Sequence, residues 1–313
     1  MKKFFASFNF KKFNSKMLIK IFSLICIVAI CVYVFCFGLK KANSFEIYNK
    51  STAETKIYTV WHIETFEGGA KPRIEYLKNI ARKLEKENDG VLIDVKKVEP
   101  QKLRNMLNDG QPDIISFGFG VEKIVLKYLC AFEENFGVRN ELVDACKFNG
   151  KVYALPYIVS GYAVFSHGVT ENRIEYGTTG YNSPTIALAH NKLTAVNFGT
   201  PFETYKNFVY HQDHALLGTA RDVFRVDNLN KIGRTNASIT PLDSYTDLIQ
   251  YIAHTRTDNI IKQFCARCFD SENQAKLSEY HLFSALKNKL YTEGIYNDME
   301  NAILKCEIAK VFD

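Results

Sequence analysis

From residue 57 onward the chain alternates between short apolar runs and amphipathic stretches. Ile57 to His62 is an apolar run of strand length. From Pro72 to Asn88, Ile74, Leu77, Ile80, Ala81 and Leu84 share one face with Lys and Glu opposite, which is helical spacing. Asp89-Gly90 ends that helix, and the β-branched run Val91 to Val98 predicts a second strand. Pro100 opens a helix carrying Leu103, Met106 and Leu107. Pro112-Asp113 then leads into a buried strand at Ile114-Ile115, ending at Ser116-Phe117-Gly118. Strand, helix, strand, helix, strand predicts an α/β fold with a parallel sheet and right-handed crossovers. That topology sets the loop WHIETFEGG (Trp61 to Gly69) and the loop SFGFG (Ser116 to Gly120) on one edge, the edge where open α/β sheets take ligands.

Further along, Glu122 to Phe132 reads as helix, and CKFNGKVYALPY carries Asn149-Gly150, a strong hairpin signal. Residues 158 to 200 are rich in Gly, Thr, Tyr and Asn and end in a polar loop. Phe202 to Leu217 reads as helical in whole or part, GTARD (Gly218 to Asp222) follows, and Arg225 to Thr240 reads as a polar linker. Leu242, Tyr245, Leu248, Ile249 and Ile252 have helical spacing, although Tyr251 to Ala253 also suits a strand. Asn259 to Phe269 and Ser271 to Leu277 read as helices, and LFSAL (Leu282 to Leu286) leads to two amphipathic C-terminal helices.

The N-terminus changes the picture. Ile21 to Leu39 is nineteen residues without a charge, about 28 Å as a helix against a bilayer core of about 30 Å. Lys2, Lys3, Lys11, Lys12, Lys16 and Lys20 flank it and favour a cytoplasmic N-terminus (residues 1 to 20) with everything after the span outside. The small-residue cleavage signal at Ala42 to Ser44 is weak, so an uncleaved anchor is preferred over a signal sequence. The expected location is the cell membrane, single-pass, with the C-terminal part extracellular and residues 40 to 55 as a tether. The six lysines account for the whole net charge of +6, which leaves nucleic acid without electrostatic support as a partner. Of eight cysteines, Cys26, Cys31 and Cys36 lie in the apolar segment and an odd five lie beyond it, which is not a disulfide framework. Cys265 and Cys268 read as small buried hydrophobes, and His211 with His214 lack a third ligand for a metal.

Six stretches together carry a resemblance: VWHIETFEGG, PDIISFGFG, GKVYALPYIVSGY, ALLGTARD, PLDSYTDLIQYIA and NQAKLSEYHLFSAL, in that order. They resemble the extracellular solute-binding proteins of carbohydrate-type ABC importers of Gram-positive bacteria. The resemblance implies a two-lobed, type II periplasmic-binding-protein-like fold that captures a sugar or oligosaccharide between its lobes and delivers it to ABC permease subunits. It places lobe 1 at 56–155 with 242–285 and lobe 2 at 156–241 with 286–313, with crossings at Tyr153 to Pro156 and Ile239 to Leu242. It also implies that Leu248 to Ala253 is a strand. The sequence departs from the family in lacking a lipid-attachment cysteine, in its shorter exported part, and in Ala220, where a polar residue is expected.

Sugar recognition needs flat apolar faces and planar polar side chains. Trp61, Phe66, Phe117, Tyr157 and Tyr162 are the candidate stacking residues. Glu64, Glu67, Ser116, Arg221 and Asp222 are the polar candidates, with Arg221 and Asp222 also able to pair with each other. Two other readings stand beside this one. One is an anchored ectodomain that senses a ligand or holds a partner without transport. The other is a glycoside hydrolase using Glu64 and Glu67, or either with Asp222, as acid and base. No nucleophile triad, phosphate loop or dinucleotide fingerprint is present, so neither an enzyme nor a cofactor is expected.

Overall fold

The computed structural model describes residues 22–33, 55–168, 174–211 and 214–312. Residues 22–33 are helical and belong to a unit, Met1–Glu54, separate from Thr55–Asp313. Among the described residues no helix is long and apolar enough to cross a membrane; Ile21 and residues 34–39 of the expected span lie outside them.

The first strands form as their patterns predict. β1 (Lys56–Ile63) pairs in parallel with β2 (Val91–Val98) on one side and with β3 (Ile114–Gly118) on the other. The helix Ile74–Glu87 joins β1 to β2 and buries Ile74, Leu77, Ile80, Ala81 and Leu84, the face read from the spacing. The helix expected after Pro100 forms at Leu103–Asp109, but of the one expected over Glu122 to Phe132 only Glu122–Val125 is α-helical, followed by a 3-10 turn at Leu126–Tyr128. β4 (Lys147–Phe148) and β5 (Lys151–Val152) make the expected hairpin, with Asn149 and Gly150 both left-handed at φ 49° and 77°. β6 (Leu155–Val159) returns to the first sheet.

The chain then leaves for a second sheet. β7 (Tyr162–Ser166), β8 (Ile174–Gly177), β9 (Ala195–Gly199), β10 (Ala215–Thr219) and β11 (Ser238–Pro241) assemble in the order β11-β7-β10-β8-β9. Three readings are corrected here. The segment expected to end in a polar loop contains three strands and the helix Pro184–His190. The segment from Phe202 splits into the helix Pro201–Tyr210 and strand β10. The expected linker is the continuation of the helix Ala220–Lys231 followed by β11. β9 and β11 are the edges of this sheet and keep mostly exposed or half-buried side chains, so they carry no apolar signature.

β12 (Tyr245–Thr246) follows, and β13 (Ile249–His254) inserts antiparallel between β3 and β6. The helical spacing of this stretch is misleading because β13 is buried on both faces, which makes its sequence a continuous apolar run. The helix Asn259–Arg267 and β14 (Phe283–Ser284) complete the first lobe, whose sheet runs β14-β6-β13-β3-β1-β2. A single C-terminal α-helix, Gly294–Ile303, takes the place of the two expected; it packs against β11, and β15 (Glu307–Ile308) pairs with β12.

Thus the residues from Thr55 onward form a two-lobed α/β fold whose chain passes between the sheets three times. The first passage lies at Ser160-Gly161, later than Tyr153 to Pro156, because β6 still pairs with β13 and β14. The second follows Pro241, and the third lies between Ser284 and Gly294.

Candidate functional site

Parallel pairing of Ile63 with Phe117 brings the ends of β1 and β3 to one rim, as their order predicts. Two glycines of SFGFG let the loops above that rim close up. A Cβ on Gly118 would stand 2.1 Å from Thr65 Oγ1, and one on Gly120 would stand 2.6 Å from the Tyr181 carbonyl oxygen of the second lobe. Gly120 also has φ +96°, where a side chain is strained.

Two polar clusters occupy this rim. The inner one is centred on Ser116. Its hydroxyl lies 2.9 Å from His62 Nδ1, 2.9 Å from the Tyr157 hydroxyl and 3.0 Å from Gln250 Nε2. A lone pair on His62 Nε2 cannot face the Glu64 carboxylate, so Nδ1 is the nitrogen that accepts from the Ser116 hydroxyl, which in turn accepts from Tyr157 and Gln250. His62 Nε2 is the protonated nitrogen, and it faces Glu64 Oε1 at 3.3 Å. Gln250 Nε2 also donates to the Ile63 carbonyl at 3.0 Å. Burial lowers the His62 pKa and outweighs the hydrogen bond that the ring donates to Glu64, so the ring is neutral. Burial works to raise the Glu64 carboxyl, but His62, Arg73 and Lys97 together hold it well below the usual carboxylate range. Lys97 Nζ sits 2.6 Å from Glu64 Oε2 and Arg73 Nε 3.7 Å from Oε1.

The outer cluster joins the lobes. The Thr179 hydroxyl donates to the Thr65 carbonyl. Glu67 Oε2 stands 3.5 Å from Arg221 Nε and 3.4 Å from Arg225 Nη2, both on the helix Ala220–Lys231. Asp222 is held by its own helix: it accepts from the Thr219 N–H at 3.0 Å and from Arg225 Nη1 at 3.0 Å. Burial raises its pKa against those two bonds. Arg221 therefore pairs with Glu67 instead of Asp222.

The structure separates the expected site residues into two groups. Glu67, Arg221 and Asp222 meet between the lobes, and Phe66 reaches the second lobe's apolar cluster with Tyr162 and Leu242, its ring under the Arg73 guanidinium at 4.0 Å. The stacking expectation for the others is corrected. Trp61 is 9% exposed within the first-lobe core. Phe117 packs on Tyr251 at 5.4 Å and Tyr157 stacks on Tyr76 at 5.7 Å, both fully buried. Tyr162 donates its hydroxyl to Asp247 at 2.7 Å beside the crossings. These faces are already covered by protein. The gap lined by Glu67, Thr179, Asn182, Gly218 and Asp222 has a volume of about 20 Å³, room for a water molecule and little more. A saccharide therefore enters only if the lobes part.

Sequence reading missed Arg73, Arg225, Thr65, Thr179, His62 and Gln250. Arg225 alone left a signal, standing four residues after Arg221 and so on the same helical face. Of the carboxylates considered for a glycosidase, Glu64 is held ionised, and Glu67 and Asp222 are engaged by arginines. Cys265 and Cys268 are buried and free, and burial pushes the Cys265 thiol up to about 12. His214 lies near Glu175, and no group of metal-ligating residues occurs among the described residues.

The two-lobed fold recurs in solved structures of other proteins. The GacH receptor of Streptomyces glaucescens, studied in unliganded form and with acarbose, superposes with a TM-score of 0.57 at 10% identity, covering 82% of this chain and 89% of that one. The cyclic α-maltosyl-1,6-maltose binding protein of Arthrobacter globiformis gives 0.57 at 11% identity with the same coverage. Iron-bound HitA of Pseudomonas aeruginosa gives 0.54 at 10% identity over 78% of this chain and 92% of that one. No protein-family model matches the sequence, and no curated protein matches it.

Proposed function

We propose that this chain is a membrane-anchored solute-binding protein that captures a small hydroxyl-rich ligand, a sugar or oligosaccharide, between its lobes and presents it to an ABC permease. The observation that carries this reading is the junction of the lobes: the loop after β1 meets the start of the helix after β10 through reversible ion pairs and hydrogen bonds, with three chain crossings as the hinge. Two of the superposed structures come from proteins described by sugar ligands, which supports the carbohydrate class; HitA, with iron, shows that the fold alone does not choose the ligand. Lobe closure over a ligand would create the surface a permease reads. The apolar segment 21–39 would tether the protein outside the cell, in place of a lipid anchor.

The test is a thermal-shift and calorimetric screen of the full-length chain against mono- and oligosaccharides. A ligand at 100 times its Kd stabilises the folded form by about 2.7 kcal/mol. A well-folded preparation that no saccharide stabilises refutes the proposal.

A further inference from the structure

The pairing between the lobes is poorer than the pairing within them. Glu67 Oε2 lies 3.4 and 3.5 Å from its two arginine nitrogens, beyond the roughly 2.7–2.9 Å of a good charge-assisted hydrogen bond. Both Glu67 Oε2 and Arg221 Nε are buried atoms without a hydrogen-bond partner among the described residues. Arg73, only 2% exposed, leaves Nε and Nη1 in the same condition. It is near enough to Arg221 and Glu67 for both charges to act on it.

Counter-charges for these arginines are already divided. Asp222 answers Arg225 at 3.0 Å, and Glu64 is shared between Lys97 and Arg73. When the lobes part, Glu67 leaves with the first lobe, and Arg221 loses the ion pair that the structure shows for it. With the lobes as they stand the gap is too small to hold a ligand beside Glu67, so a ligand group that sits on Arg221 and Arg225 at this spacing takes the place of the Glu67 carboxylate.

We propose that the ligand carries an anionic group, a carboxylate on a saccharide of the uronic-acid kind, which replaces Glu67 on Arg221 and Arg225. The loop Thr65 to Gly69 is then an internal occupant that the ligand displaces. The Thr179 and Thr219 hydroxyls and the Asn182 amide line the same space and suit the hydroxyls of the sugar body. This inference rests on the solute-binding reading above and narrows its ligand class from sugars in general to acidic ones.

The experiment is calorimetry on the full-length chain with uronic-acid disaccharides, neutral disaccharides of the same linkages, and sodium phosphate, at one pH and about 0.05 M salt. The expected result is at least tenfold tighter binding of the acidic disaccharide, weakening at 0.5 M salt as charges are screened. Arg221→Gln, at a half-exposed side chain and with folding checked by its urea midpoint, should abolish the preference, and Glu67→Gln should tighten acidic binding several-fold. Equal or better binding of neutral sugars leaves the solute-binding function standing and overturns this inference. Phosphate alone matching the acidic sugar overturns the saccharide assignment. Binding of neither sugar class overturns both.

Discussion

The two polar clusters, one inside the first lobe's rim and one joining that rim to the second lobe, are opposites in construction. His62, Ser116, Tyr157 and Gln250 are fully buried, and Ser116 uses its donor and both acceptor sites at 2.9–3.0 Å. Glu67, Arg221 and Arg225 are partly exposed and pair at 3.4–3.5 Å. A satisfied buried network fixes one arrangement, because breaking any bond strands its partners in a medium of low dielectric. A loose, partly exposed pair costs little to separate. Under the proposed function the inner cluster would be the rigid platform and the outer one the part that gives way.

The sharpest way to break this contrast is Ser116→Ala. Removing the hub leaves His62 Nδ1, the Tyr157 hydroxyl and one Gln250 N–H without their partner, and a stranded buried group costs about 1–3 kcal/mol. We expect a loss of about 3 kcal/mol in urea unfolding, with the spacing of the lobes unchanged in solution scattering. A loss below about 1 kcal/mol would place the inner cluster with the outer one.

Gly120→Ala tests the outer side with a smaller cost. The new methyl would meet Tyr181 across the junction and must also adopt φ +96°. Strain at such a position costs roughly 1–2 kcal/mol. Here the scattering radius should grow, because the lobes must separate to relieve the clash, and a saccharide should bind the opened form more readily. An unchanged radius would mean that the second lobe repacks locally and the junction is not the mobile element.

How far the sequence revealed this arrangement follows from the same physics. β1 to β3 and their helices were legible because a half-buried helix writes its apolar face at three-four spacing and β2 is β-branched. The motif GTARD led to the outer cluster because Arg221 and Asp222 open a helix at a strand end. Three things were hidden. The edge strands β9 and β11 lack an apolar pattern, so one read as the end of a polar loop and the other as linker. Trp61, Phe117 and Tyr157 belong to aromatic types that serve ligand stacking and core packing alike, and only burial separates the two uses. Arg73 and Gln250 act from other segments: Arg73 folds back on Phe66, and Gln250 reaches Ile63 from a strand 187 positions away.

The smallest expected effect is on pH dependence, and it isolates the inner cluster. Folding lowers the pKa values of His62, His254 and His281, in each case chiefly by burial. As pH falls through about 6.5, the unfolded chain takes up protons on these rings that the folded chain refuses, so stability declines. The depressed Glu64 carboxyl has the same sign but acts only below about 4.3, and the raised Asp222 and Asp247 act oppositely, losing stability as pH climbs from about 3.9. Between pH 7.5 and 5.5 the histidines lower stability as pH falls, with the more exposed His254 and His281 contributing beside His62. His62→Gln should lower the urea midpoint at both pH values and shrink the difference between them. Were that difference to stay at its wild-type size, His62 would be taking a proton in the folded protein. The tautomer that lets Ser116 serve three partners would then be lost, and the inner cluster would be as adaptable as the outer.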